Sequence, residues 1–364
     1  MIPSTGASDA APSREPAAAA DLVVRRAAPG DAMRVDTFAL ETPRASFFHG
    51  AGWTRAVCDE FGHEDRSLVA ERDGRVVGVM PLALCRGLRG GRALISTPYG
   101  VYGGPIGTGG GVERALFDEA EREALALGVG RLEMRCLEDP GLGLPQSDLH
   151  ATFVKDLGTD PADVLPGMPK KSRADARKAR NTHGLRLHEG RWYLPDLVRL
   201  FHANKRALGS PALPTSYFER LLDTFGDRAT IHVVKKDGET LAAVMSFLFR
   251  DQVLAYHSGT EPGVDRAFKA SVFMYMALQE WSIENGYRIF DFGRSRKDSG
   301  AFSFKQHQGF VARDLHYSFR LVRDRGLPTF NPSNPKTRIL QRTWSKLPSG
   351  VTQLLSRPAS RFLP

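Results

Sequence analysis

The sequence predicts an α/β (α+β) fold of two tandem domains, each a mixed sheet flanked by helices. Three observations predict it. Each half runs in the same order: hairpin, strand, glycine-bearing loop, amphipathic helix, strand, strand. That repeated order points to an internal duplication, and its period, far longer than a solenoid repeat, makes it a tandem of two domains. Both hairpins turn across Asp-Gly, at Asp73-Gly74 and Asp237-Gly238, the pair a type I′ turn favours. Strands served by one crossover helix per copy imply mixed sheets with helices on their faces.

The N-terminal stretch MIPSTGASDAAPSREPAAAAD is rich in Ala, Pro and Ser and lacks the basic start and apolar core of a signal peptide. Residues 1–20 are read as a disordered arm. "LVVRRA" (22–27) is a first strand, and Pro29, Gly30 and Asp31 start a helix. "GWTRAVCDEFG" (52–62) is a second helix. "RSLVAERDGRVVGVMPLAL" (66–84) is the hairpin, "ALISTP" (93–98) the next strand, and "YGVYGGPIGTGGG" the glycine-rich stretch. "VERALFDEAEREALALG" (112–128) is an amphipathic helix stopped by Gly128. "RLEMRCL" (131–137) follows, and "ATFVKDL" (151–157) closes the first set, giving a domain at 21–160.

Three helices, "PKKSRADARKAR", "PDLVRLFHANKRALG" and "PTSYFERLLDTFG", open a second domain at 161–325. Its hairpin is "ATIHVVKKDGETLAAVMSFLF" (229–249) and its third strand "QVLAYHSG" (252–259). Its long helix is "AFKASVFMYMALQEWSIENG" (267–286), followed by strands "RIFDFG" (288–293) and "DLHYSFRLV" (314–322). Residues 326–364 form a Pro-rich basic tail. Trp344, Leu347, Val351, Leu354 and Leu355 within it, interleaved with Arg and Lys, fit either a tail packed over the body or a short basic amphipathic segment suited to a membrane surface.

The chain has 364 residues, a net charge of +9 and 41% hydrophobic residues. That is globular composition, and the basic balance favours anionic partners. Three cysteines, Cys58, Cys85 and Cys136, show no metal-ligand spacing and read as reduced thiols of a cytoplasmic protein. The ten histidines form no HExxH or His/Cys cluster, so no metal is expected. Nor is there an apolar run of about 18 residues to span a membrane.

The sheet order of each half resembles the GNAT acyltransferase fold, and the tandem resembles the Fem (FemAB-type) family of aminoacyl transferases. "GVMPLAL", "STPYGVYGG", "FDFGRSRKDSGAFSFKQHQGF" and "NPSNPKTRILQRTWSKLP" are most similar to the Fem-like group associated with bacterial exosortase/PEP-CTERM systems. The resemblance implies an acyltransferase acting on an amine or hydroxyl of a cell-envelope or exopolysaccharide precursor, with acyl-CoA as donor. A small-molecule or lipid-linked glycan would be the acceptor, and the basic tail would touch the inner membrane. The GNAT pyrophosphate loop, Arg/Gln-x-x-Gly-x-Gly/Ala, is not clearly present. Two other readings stand beside it: an aminoacyl-tRNA-dependent peptidyl transferase, and a non-catalytic scaffold that binds a glycan or a membrane surface.

Acyl transfer needs a base, oxyanion stabilisation and held reactants. Asp291, between Phe290 and Phe292, is placed to be desolvated into a useful base, or else to pair with Arg294 or cap a turn. The fork of Arg294 suits phosphate or carboxylate. His257 is a candidate base beside Tyr256, where a GNAT-like sheet splays to admit the acyl group. Lys269, at the start of the long helix, adds charge to an anion site. By resemblance, Lys305 after Phe304 lies in a loop near the reacting carbonyl, and Tyr99, Tyr102 and Gly104 line the acceptor cleft. Replacing Lys305 with Ala, or Asp291 with Asn, is then expected to abolish transfer without unfolding the protein. The first copy, "RLEMRCLEDPGLG", lacks the Arg-Lys-Phe-Lys run, so the site is expected in the second domain.

Overall fold

A computed structural model of the protein describes residues 21–87, 90–328 and 342–362. The arm expected at 1–20 and the first part of the tail, 329–341, lie outside the described residues. Among the described residues the strands form three sheets. The first half builds two. One holds Val23–Arg26, Leu68–Arg72, Arg75–Met80 and Ile106–Gly107; the other centres on Ala83–Arg86, Arg92–Ile95 and Arg131–Cys136. The second half builds a single larger sheet around Ala229–Lys236, Glu239–Phe249, Gln252–Thr260 and Ile289–Asp291.

Both hairpins turn where expected. Asp73 and Gly74 have φ of 51° and 71°, and Asp237 and Gly238 have 49° and 87°, the left-handed pair of a type I′ turn. The copies then differ. In the first, the strand stops at Met80, Pro81 follows with no N–H to donate, and the chain re-enters at Ala83 in the other sheet. In the second, with no proline, Glu239–Phe249 runs unbroken for 11 residues.

The closing strands depart most from expectation. His150–Asp156 does not close the first half's sheet: it pairs antiparallel with Ile289–Asp291, Val154 opposite Asp291. His316–Leu321 does not close the second: it pairs with Arg131–Cys136, from His316 opposite Cys136 to Leu321 opposite Arg131. Each half therefore lends its last strand to the other's sheet. A strand's own alternation says which face is buried, not which edge it joins.

Helix Val112–Leu127 buries Leu116, Phe117, Ala120 and Ala124 and ends at Gly128 with φ of 57°. The long helix expected at 267–286 is broken at Lys269, whose φ is 61°, into Val264–Phe268 and Ala270–Glu284. Basic helix Lys170–Asn181 buries Ser172, Ala176 and Ala179 and leaves its lysines outward. One hydrophobic core crosses both halves. In it Phe47 stacks on Phe247 with centroids 4.7 Å apart and meets Phe225 at 4.6 Å. The tail segment forms helix Ser349–Ser360. Thr352, Ser356 and Ser360 are its buried stripe, while Val351, Leu354 and Leu355 face outward.

Candidate active site

Strands Gln252–Thr260 and Ile289–Asp291 run parallel and pair at three positions, the last being Leu254 opposite Asp291. Beyond it the first strand continues and the second ends. The two part, and a cleft of about 820 Å³ opens between residues 255–258 on one wall and 292–295 on the other. Helix Leu194–Ala207 contributes Phe201, Asn204 and Lys205, helix Gly300–His307 contributes Ala301, Phe304 and Lys305, and the first half contributes Tyr99 and Val101. The facing ladder shifts register here: Ser246 sits opposite Ala255 but Met245 opposite His257, so Tyr256 is the extra residue of a bulge. Past Leu254 the backbone on the cleft edge has lost its ladder partner.

The equivalent place in the first half is filled. Arg92–Ile95 and Arg131–Cys136 also pair in parallel, as far as Ile95 opposite Glu133, and then part. Residues 96–106 pack into the gap and are buried, Tyr99 half so. Ser96 N–H donates to Glu133 at 2.9 Å, and Gly103 N–H to the Arg135 carbonyl at 2.8 Å. The buried Arg135 guanidinium donates to the carbonyls of Thr97 and Gly100, each at 3.3 Å, and pairs with Glu133 at 2.9 Å. A Cβ on Gly103 would fall 1.7 Å from Thr97 Oγ1, and one on Gly104 2.3 Å from Cys136 Sγ. These glycines serve close packing in a plug, not a phosphate cradle.

The expected residues do not all converge. Asp291 is 1% exposed and lies behind the cleft rather than in its wall. It accepts from the Tyr102 hydroxyl, from Gly293 N–H at 2.7 Å and from Gln252 at 3.3 Å. Burial pushes its carboxyl up to about 7, against the pull of the Gly293 N–H and of Lys305. Expected as a base, it is instead a buried tie between the halves. Tyr102 and Gly104 are buried outside the cleft as well, and only Tyr99 of the three lines it. Lys269 is not in its wall either; its left-handed backbone starts the helix.

Lys305 does line the cleft, but from helix Gly300–His307 rather than a loop. The helix starts at Ser299, whose hydroxyl accepts the Phe302 N–H at 3.2 Å. Alternating Phe302 and Phe304 hide it in the sequence by imitating a strand. The Lys305 amine donates to three successive carbonyls, of Phe292 at 2.5 Å, Gly293 at 2.9 Å and Arg294 at 3.3 Å. An ammonium has three donors, and all are used. Lys305 thus pins the wall at 292–294 and is not left free for an oxyanion. Phe304 lines the cleft beside it.

His257 lines the cleft among the rings of Phe201, Tyr217, Phe218 and Tyr256. Burial, aided by Lys205, pushes its imidazole down to about 3. A base works best with a pKa near the working pH, so the expected role does not fit; the ring is neutral and faces the Tyr217 hydroxyl at 3.3 Å. Tyr256 donates to the Tyr99 carbonyl, joining the halves at the mouth. Arg294 is exposed in the cleft and donates to the Tyr317 hydroxyl at 3.1 Å. Sequence reasoning missed Lys205. It follows Leu197 and Phe201 at four-residue steps, which places a lysine on a buried helix face.

An acyl-CoA donor would need a place for its pyrophosphate. The start of helix Ala270–Glu284 is the expected one, and it is already served by a carboxylate of the chain itself. Asp265 accepts from Ser271 N–H and from its hydroxyl, both at 2.7 Å. A pyrophosphate there would meet a fixed negative charge, so this helix start does not fit the group. Among the described residues no cluster of three or more His, Cys, Asp or Glu is placed to hold a metal.

Two halves built on one plan, the second with its strands splayed open, define a tandem GNAT architecture. Residues 168–306 match the family described as Acetyltransferase (GNAT) domain. The fold is similar to the crystal structure of FemX, with a TM-score of 0.64 at 14% identity over 81% of this chain and 97% of that one. It is also similar to a tandem GNAT protein from the clavulanic acid biosynthesis pathway, with 0.53 at 17% identity over 85% and 100%. A third likeness is to the C-terminal domain of a putative lysylphosphatidylglycerol synthetase from Agrobacterium fabrum, with 0.53 at 13% over 80% and 91%. No curated protein matches the sequence.

Proposed function

We propose that the protein is an acyltransferase whose reaction takes place in the cleft between the splayed strands of its second half. The observation that carries this reading is that the strands part immediately after Leu254 and Asp291. Their parting ends the ladder on that edge and opens a cavity large enough for an acyl group and its acceptor. The acceptor nitrogen or oxygen attacks the donor carbonyl. The oxyanion forms beside the N–H groups of the cleft edge, and the bond from carbon to the leaving sulfur or oxygen breaks. The leaving group takes up the proton that the acceptor sheds.

Acyl-CoA is the donor the fold implies. The Asp265 cap on helix Ala270–Glu284 favours a second reading, an aminoacyl ester carried on tRNA, which needs no pyrophosphate at that point. The acceptor in either reading is an amine or hydroxyl of a cell-envelope or exopolysaccharide precursor, a choice that rests on the sequence resemblance alone. The outward Val351, Leu354 and Leu355 support a peripheral membrane contact on the cytoplasmic side. Single-turnover transfer from acetyl-CoA and from alanyl-tRNA to a panel of amino sugars tests the function. Turnover with either donor is expected and identifies it; a protein inert to both, with correctly folded far-UV spectra, would leave the scaffold reading standing instead.

A further inference from the structure

Five charged side chains line the cleft: Lys205, Glu261, Asp265, Arg294 and Lys305. Three of them are committed. Glu261 pairs with Arg199, Asp265 serves Ser271, and Lys305 is spent on three carbonyls. The other two, both cations, are not committed. Among the described residues neither Lys205 nor Arg294 forms an ion pair. Lys205 has only the face of Phe201, 5.2 Å from its nitrogen. Arg294 spends one donor on the Tyr317 hydroxyl and lies 5.7 Å from that ring, which leaves most of its fork open.

They reach the cleft from different elements, Lys205 from helix Leu194–Ala207 and Arg294 from the wall that Lys305 pins. Burial pushes the Lys205 amine down, and Arg294's charge pushes it the same way. Holding two like charges in a partly desolvated cleft costs free energy that a bound anion offsets. A freely solvated surface charge does not explain Lys205, which is half-buried in line with Leu197 and Phe201 on its helix.

We propose that Lys205 and Arg294 form an oxyanion-binding subsite, which selects a substrate carrying a phosphate or carboxylate group beside the reacting atoms. A compact ammonium and a planar fork on two walls of one cleft suit a tetrahedral or planar oxyanion. The anion belongs to the acceptor or to the donor, and the experiment separates these sources.

The proposal rests on the cleft being the substrate site but not on turnover, so a binding measurement tests it independently of the acyltransferase reading. Full-length protein is titrated with inorganic phosphate by calorimetry at pH 7, with and without saturating coenzyme A. Wild type is expected to bind phosphate saturably. Lys205→Met, which keeps the stem over Phe201, and the exposed Arg294→Gln are each expected to weaken binding at least ten-fold. Lys170→Ala, on the exposed basic helix, is expected to bind as wild type does. Competition by coenzyme A assigns the anion to the donor, and its absence assigns it to the acceptor. Absence of saturable phosphate binding, or equal affinity in both cleft variants and wild type, overturns the subsite even in a protein that transfers acyl groups. Phosphate binding of the expected kind in a protein that transfers none defeats the acyltransferase reading alone.

Discussion

Asp291 accepts hydrogen bonds from Tyr102, Gly293 and Gln252 in a place almost closed to water, and burial raises its carboxyl from 3.8 to about 7. Between those values the folded protein holds a proton that the unfolded chain has lost. Its contribution to stability is therefore present below about pH 4 and is lost as pH rises through 7. Asp291→Asn, which cannot ionise, is expected to remove this dependence. Urea midpoints from pH 4 to 8 should show wild type losing up to roughly 4 kcal/mol relative to the variant; parallel profiles would mean that the carboxyl is not desolvated. Because Asp291 is outside the cleft wall, the variant is also expected to keep measurable transfer. The neighbouring Phe290 and Phe292 made its burial legible in the sequence. They could not reveal that Tyr102, 189 residues away in the chain, takes the position a substrate would need. The three carbonyls around Lys305 were hidden in the same way, since nothing local marks a lysine whose acceptors come from another segment.

At the scale of elements, both Asp-Gly hairpins and helix Val112–Leu127 were legible, because turn chemistry and apolar spacing are local properties. The fate of the closing strands was not. His150–Asp156 and His316–Leu321 are exchanged between the halves, and exchange depends on edges made by residues far away in the chain. It follows that residues 21–158 expressed alone lack the strand that pairs with all six residues of Arg131–Cys136. This fragment is expected to be aggregated or poorly folded by size exclusion and circular dichroism, and to gain native-like spectra only when residues 159–364 are supplied. A monomeric, cooperatively folded fragment would contradict the exchange. Helix Gly300–His307 was missed because its paired phenylalanines read as alternation, while its cap at Ser299 was the overlooked local signal.

The whole molecule uses one duplicated plan twice with opposite results. Arg135 and the glycines of 96–106 plug the gap in the first half, and the corresponding gap in the second remains open. The repeated plan was legible in the order of elements, and a charge asymmetry between the copies is what pointed to the second half for the site. The plug was not, because a glycine-rich run fits a packed loop and a phosphate cradle equally well. The aromatic core that fuses the halves makes them one cooperative unit. Phe47→Ala, which strips a ring stacked between Phe247 and Phe225, is expected to cost about 3–5 kcal/mol with a single thermal transition; two separate transitions would show that the halves unfold independently. The central claim is that transfer happens in the open cleft. Ala301 is exposed on helix Gly300–His307 and lines that cleft, so Ala301→Trp fills the cavity without disturbing the core. Single-turnover transfer with the donor the wild type accepts tests the claim most directly. The account predicts at least a hundred-fold loss at an unchanged melting temperature, and undiminished transfer by the folded variant would contradict it.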